Sequence, residues 1–355
     1  MRDDALTAAS AVLAALREEY PIPALSAAVV RHGELVWQEA QGLAHLELGV
    51  PAAPQHRFRT GSVSKVVTAA IGARLALAGT VDLDAPIATY RSDLPEAHHA
   101  TTLRQLFAHL GGVRHYGPAD FALDAPGGMI DLRFFNTTEQ ALALFIDDPL
   151  VAEPGTTPNY STFGYTLISA VLESAAGKPF LQLLEEEVTA PLGLAELGPD
   201  RQFEPVPDRV AFYDLPQLYQ RMGLTLPDLP VVNAVTSAAA YKWAGGGMVC
   251  SARDMARFGA AHLSGGYLDA ATRAMLFTPV TAASQAMPAL GLGWRIDTAE
   301  GFGPRWHHAG NMQGCRAQLA LYPEHGLSVA LLGNLGMTPG NILACTDRIA
   351  SLFAG

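Results

Sequence analysis

Ser62 and Lys65 stand three positions apart, behind Phe58-Arg59-Thr60-Gly61 and ahead of an apolar run, Val66 to Ala78, that only Thr68, Gly72 and Arg74 interrupt. This pattern predicts a loop entering a buried helix with Ser62 in its first turn. Residues three apart share a helix face, so the hydroxyl and the amine should lie side by side. They sit at the end where backbone N–H groups point outward. The chain has three lysines, Lys65, Lys178 and Lys242. Burial lowers a lysine's pKa, and a neutral amine can take a proton from a neighbouring hydroxyl, which an arginine cannot do. The serine needs such a base to become a nucleophile. Alone, the pair reads more readily as an N-cap serine and a lysine that reaches solvent.

Two clusters downstream favour chemistry. Asn159-Tyr160-Ser161-Thr162 opens a helix after the turn Glu153-Pro154-Gly155, and Trp306-His307-His308-Ala309-Gly310 precedes a strand. Tyr160 is placed to share or relay the serine's proton. A lysine cation beside it would lower its phenol pKa. His308 is a histidine that is mostly neutral at pH 7. It also fits a structural role, as does His307, which alternates away from it.

The elements that must position these groups follow from pattern and punctuation. Asp3–Tyr20 reads as an amphipathic helix stopped by Pro21 and Pro23. Leu25–Arg31 and Glu34–Gln41 read as strands joined across His32-Gly33. From 101 to about 197 the pattern is helical. Residues 198–243 are irregular, proline-rich and aromatic, as a binding loop or a plain crossing would be. Strands are expected at Leu292–Asp297, Ala317–Tyr322 and Leu327–Gly333, and a helix at Asn341–Phe353. With strands at both ends and helices between, the predicted class is α+β. One mainly antiparallel sheet is built from residues 1–61 and 244–355 and flanked by helices, an all-helical lobe occupies 62–197, and 198–243 covers the pocket.

These motifs, in this order, resemble the serine β-lactamase and penicillin-binding-protein superfamily, and within it the class C β-lactamase-like branch. That branch holds family VIII carboxylesterases, D-aminopeptidases and LACTB-type proteases. The resemblance covers nearly the whole chain: Phe58–Lys65, Leu83-Asp84-Ala85-Pro86, Thr102–Leu106 with His109, Tyr160–Tyr165, Pro191–Leu194, Ala244–Met248 and His308-Ala309-Gly310. It implies a Ser62 acyl-enzyme, with Lys65 and Tyr160 moving protons and the amides of Ser62 and Asn311 holding the oxyanion. Gly310 would let the third-motif strand come close. The chain departs from the family at Thr162, where asparagine is frequent, and at His308-Ala309, where a lysine and a hydroxyl residue are common. The first loses an amide that supports Lys65 and a substrate amide; the second loses a charge and a hydroxyl, which weakens anion recognition and points to neutral esters or small amides. Thr162, Tyr116, Tyr213, Tyr219 and Trp243 are expected to line the pocket.

Composition narrows the classes. A net charge of −11, with no basic stripe, argues against a nucleic-acid partner. The three cysteines, at wide spacings, form neither a disulfide framework nor a zinc motif and should be free buried thiols. There is no H-E-x-x-H and no G-x-S-x-G, and neither a signal peptide nor a membrane span is apparent. The expectation is a cytoplasmic serine hydrolase acting on a small ester or amide, with no metal or cofactor. A carboxylesterase comes first and a peptidase or amidase second, with β-lactamase and DD-peptidase activity behind them. A catalytically silent scaffold is the rival from outside enzymes.

Overall fold

A computed structural model describes residues 2–122, 124, 125, 128–221, 223–281, 290–336 and 341–355. Helix α1 (Arg2–Glu19) buries Ala9, Val12, Leu13 and Leu16 along one stripe. Strand β1 (Ala24–Arg31) is buried at every position but its last, as a central strand covered on both faces must be. His32 and Gly33 both take positive φ (50° and 87°), the two-residue turn that matches strand twist, and lead into β2 (Glu34–His45). Strand β3 (Val50–Pro51) completes that edge.

Helix α2 (Ser64–Leu77) follows a single tight turn at Gly61–Val63 and is buried along nearly its whole length. Helix α3 (Thr162–Ala176) is capped by the Ser161 hydroxyl, which accepts from Gly164 N, and ends at Gly177 in the left-handed region. Between α2 and Leu192 the other regular elements are short helical turns, among them Leu103–Phe107, Thr138–Leu142 and Phe180–Leu184. Helix α4 (Ala252–Ala261), capped by Ser251, precedes β4 (Arg295–Ala299), β5 (Gly303–Met312), β6 (Cys315–Tyr322), β7 (Leu327–Gly333) and α5 (Ile342–Phe353).

The seven strands form one antiparallel sheet in the order β3-β2-β1-β7-β6-β5-β4. Its middle joins the two chain ends, with Leu25 opposite Gly333 and Arg31 opposite Leu327. One face packs on α1 and α5 through Leu13, Val29, Leu331 and Ile349. The other carries the larger core with α2, α3 and α4, including Val66, Ile71, Phe163 and Phe258.

The structure departs from the sequence reading in three places. Residues 303–312 are a ten-residue strand, where the sequence pattern puts the third motif ahead of a strand. Gly303, Pro304, two adjacent histidines and Gly310 hide its period of two. Leu292 and Gly293 lie before β4 rather than in it. Cys250 and Cys315 are buried free thiols, whereas Cys345 is only half-buried.

Candidate active site

The site is built where α2 begins. Phe58 and Arg59 pair with Cys250 and Val249, and Thr60 N donates to Met248 O. The chain then turns at Gly61 (φ +50°) into Ser62, with the Ser64 hydroxyl closing onto Gly61 O at 2.9 Å. Strand β5 passes directly against this turn. A Cβ on Gly61 would stand 3.0 Å from Asn311 N, and one on Gly310 would stand 2.0 Å from Thr60 O. Two glycines therefore allow two backbones to meet, and the Asn311 amide nitrogen is brought beside the Ser62 turn.

One turn beyond Ser62, at the start of α2, Lys65 is fully buried. Its Nζ lies 3.3 Å from Ser62 Oγ, 3.1 Å from Thr162 Oγ1 and 2.5 Å from Gly245 O. It also stands over the Tyr160 ring, 4.8 Å from the centroid. None of its partners is a carboxylate. Burial therefore pulls its pKa down to about 7, and the positive charges of Lys242 and Arg295 push the same way. The ammonium can donate to all three oxygens; the neutral amine can keep its two hydrogens on Gly245 O and Thr162 Oγ1 and turn its lone pair to the serine hydroxyl.

Tyr160 Oη donates to Ser62 Oγ at 2.7 Å. Here the structure corrects the sequence reading. Burial raises the Tyr160 pKa, although the Ser62 contact and Arg295 oppose the shift. The lysine faces the ring rather than the phenol oxygen, so it does not stabilise a phenolate. Two imidazoles hold this tyrosine: the rings of His109 and His115 lie 4.4 Å and 5.4 Å from its own. His109 Nδ1 accepts from Ser161 N, with His109 itself at φ +60°, and His115 Nδ1 accepts from Thr162 N. Both rings therefore carry their hydrogen on Nε2. Burial lowers both pKa values, His115 to about 4 and His109 well below the usual imidazole range, so both are neutral at pH 7.

His308 is buried, and its Nδ1 donates to Ala309 O at 2.8 Å. Desolvation first, then the charges of Arg295 and Lys65, hold its pKa well below the usual range. It is a neutral ring beside Lys65 and not a second cation. His307, on the opposite face of β5, binds Asp297 at 3.3 Å and serves the sheet.

The sequence reading missed Arg295, the residue opposite His307 in the ladder. It is half-buried, and its charge bears on Lys65, Tyr160 and His308 together. Among the described residues no hydrogen bond or ion pair engages its guanidinium. No local signal in the sequence marks it, because its significance lies in the carboxylate that is missing beside it.

Of the expected pocket residues, Thr162 touches Lys65. Tyr116 stacks on His115 at 3.8 Å and packs edge-on against Phe121 and Phe163. The other three are not brought to Ser62. The Tyr213 ring lies in the core beneath the terminal helices, with Oη bonded to Glu47 and to Leu46 N. Tyr219 binds Asp214 and Val235 N. Trp243 lines a cavity of about 1000 Å³ shared with Ala170, Gly177 and Phe180, along the far half of α3. Tyr213, Tyr219 and Tyr241, all buried, anchor that segment to its surroundings.

What this segment does send towards the site is Lys242, with Ser237 and Tyr241. All three converge on the buried Asp131, at 3.2, 2.8 and 3.0 Å, and Gln313 from the β5–β6 hairpin joins them at 3.0 Å. This knot ties the loop at Ile130–Leu132 to the hairpin that follows Asn311. Despite burial, these donors hold the Asp131 pKa below its usual value. No group of three or more potential metal ligands occurs among the described residues, and no helix is long and apolar enough to cross a membrane.

Comparison with known proteins bears on the fold and the family. Human mitochondrial serine beta-lactamase-like protein LACTB is 28% identical over 341 residues, covering 75% of this chain and 60% of the human protein. The chain thus spans well under two thirds of the LACTB relatives it matches. Esterase EstB of Burkholderia gladioli is 32% identical over 267 residues, 68% of this chain and 66% of that protein. Among solved structures, D-amino acid amidase from Ochrobactrum anthropi SV3, complexed with D-phenylalanine, superposes with a TM-score of 0.84. It covers 98% of both chains at 23% identity, a likeness that establishes the α+β fold alone. The Beta-lactamase family profile matches residues 9–352, and this chain belongs to that family of serine hydrolase fold.

Proposed function

We propose that the protein is a serine hydrolase that works through an acyl-enzyme on Ser62 and cleaves small esters. The observation that carries this reading is the position of Ser62 Oγ between two groups of matched protonation, Lys65 Nζ at 3.3 Å and Tyr160 Oη at 2.7 Å. The Ser62 hydrogen points to the neutral amine, and its oxygen accepts from the phenol. On attack, Oγ bonds to the substrate carbonyl carbon and its proton moves to Lys65. The amides of Ser62 and Asn311 receive the oxyanion. The proton taken up by Lys65 is then delivered to the departing alkoxide or amine, while Tyr160 Oη holds Ser62 Oγ at 2.7 Å. Water then repeats the sequence in reverse and frees Ser62.

A relative named as an esterase supports the ester reading. One observation favours a second: the unengaged Arg295 suits a substrate with a carboxylate near the scissile bond, as a small peptide or an amino-acid derivative would have. Turnover of p-nitrophenyl esters and of D- and L-aminoacyl anilides, by wild type and Ser62→Ala, separates them. Ester turnover that vanishes in the variant is expected. Activity surviving in Ser62→Ala overturns the mechanism. Failure to react with a serine-directed phosphonate brings a silent scaffold forward.

A further inference from the structure

Behind the nucleophile turn lies a cavity of about 340 Å³ that contains none of the residues discussed above as catalytic. His45 and Glu47 form its rim, Arg59, Asp200 and Arg209 its floor, and Gln202, Phe212 and residues 233–237 its walls. Its charges balance overall, two guanidiniums against Asp200 and Glu47, but they are unevenly placed. Asp200 is the single carboxylate on the floor and takes both guanidiniums: Arg59 Nε to Oδ2 at 2.6 Å and Arg209 Nη1 to Oδ1 at 2.8 Å. Glu47, on the rim, accepts from Tyr213 Oη at 2.6 Å and, among the described residues, pairs with neither arginine. The floor alone carries one positive charge in excess.

The hydrogen-bond inventory is incomplete in the same place. Arg59 also uses Nη1, on Gln313 O at 3.0 Å, and Arg209 uses Nη1 a second time, on Arg201 O. Among the described residues nothing takes Arg59 Nη2, Arg209 Nη2 or Arg209 Nε. The Arg59 side chain is 6% exposed and that of Arg209 27%, so the free edges face the cavity, the first from a nearly buried wall and the second from its more open side. Gln202 Oε1 is buried with no partner at all. A buried orphan of this kind calls for an absent group. The Arg59 guanidinium is held flat against Phe212, 3.9 Å from the ring centroid, so its free edge is fixed in direction.

We propose that this cavity is a second ligand site, for a small carboxylate that also carries a hydroxyl or ammonium. The carboxylate meets the free guanidinium edges of Arg59 and Arg209, and the donor meets Gln202. The volume is that of a small-molecule site. Occupancy bears on catalysis through Arg59. This residue precedes Ser62 by three and is bonded to the hairpin two residues beyond Asn311, so it backs both amides of the oxyanion site. The inference stands whether or not the hydrolase reading does.

Isothermal titration with two acid pairs tests it: lactate against propionate, and mandelate against phenylacetate. The hydroxy acids are expected to bind one per chain, about 5–10-fold more tightly than their deoxy partners, the value of one hydrogen bond. Arg209→Gln should weaken all four by at least about tenfold, the loss of a charge-assisted bond. Gln202→Leu removes an amide that bonds to nothing, and should erase the hydroxyl preference while keeping the carboxylate. Arg295→Gln should change none of these values. No saturable binding at millimolar acid overturns the proposal. So does binding that survives Arg209→Gln and is lost in Arg295→Gln, since the acid would then occupy the catalytic cleft.

Discussion

Two of the three lysines are buried, and the protein treats them in opposite ways. Lys242 meets the Asp131 carboxylate, and two hydroxyls and an amide complete that carboxylate's shell. Lys65 meets a hydroxyl on each side and one carbonyl, with no carboxylate. The first arrangement keeps a cation by pairing it. The second makes a cation costly, so the proton leaves at accessible pH. Only the second can act as a base, and the difference lies in what surrounds the amine rather than in the amine itself.

The comparison fails most visibly if Lys65 proves dispensable. Lys65→Met is expected to lower kcat/KM on esters by about 10³-fold, within the usual range for a positioned acid–base group. Lys65→Arg should lose about as much, because a guanidinium keeps its proton. An active Lys65→Arg enzyme, in a stopped assay with a short-chain ester, would end the argument for a neutral base.

Breaking the other pair should cost stability rather than chemistry. Asp131→Asn leaves Lys242 buried without its counter-charge, a loss of about 3–5 kcal/mol in denaturant unfolding. Adding Lys242→Met removes the stranded charge and should recover most of it. If the single variant unfolds at the wild-type denaturant concentration, the pair is not structural.

The acid limb of ester hydrolysis reports on Lys65 directly. Activity should rise with pH through about 7, as Lys65 loses its proton, and then level off. In Asp131→Asn the unscreened Lys242 charge should move that limb to lower pH, whereas removing a cation by Arg295→Gln should move it to higher pH. Stability carries the same signature with a fixed sign. Burial depresses the folded pKa of Lys65 from 10.5 to about 7. Between those values the unfolded chain holds a proton that the folded one lacks. The Lys65 contribution to stability therefore increases with pH across that window, and below about 7 the folded protein carries a buried cation at a cost.

The smallest effect expected is in specificity. On the pH plateau above the Lys65 limb, Arg295→Gln should lower kcat/KM on a carboxylate-bearing ester by about tenfold and leave a neutral ester of the same size unchanged. Equal loss on both would make Arg295 a structural residue and remove the case for an anionic substrate.

The side-by-side placement of Ser62 and Lys65 was legible because it is a matter of helix period, three residues on one face of a run too apolar to be exposed. The approach of Gly310 was legible through the resemblance alone, since the sequence pattern put the third motif ahead of a strand and not within one. What could not be read depends on partners distant in sequence. Lys242 looked like any other lysine until Asp131, 111 positions away, came within 3.2 Å. Tyr213 and Tyr219 looked like pocket residues because an irregular aromatic segment has no period to tell an anchor from a lining. The Tyr160 shift was misjudged because sequence showed that a lysine was near and not which part of the ring it faced. Strand β5 was obscured because its residues answer to the turn at Gly61 as well as to the sheet.

The pairing of β1 with β7 sets an order of events. Leu25 and Gly333, opposite each other at the centre of the sheet, leave the ribosome some three hundred residues apart. The nucleophile is made early, but the strand that brings Asn311 to it is held in the sheet by β6 and β7, which come last. Contacts of such long range form slowly. A nascent chain therefore displays Ser62 and Lys65 long before it can hold an oxyanion, and the amine, still in water, keeps its proton. On the proposed mechanism, hydrolysis waits until β6 and β7 join the sheet.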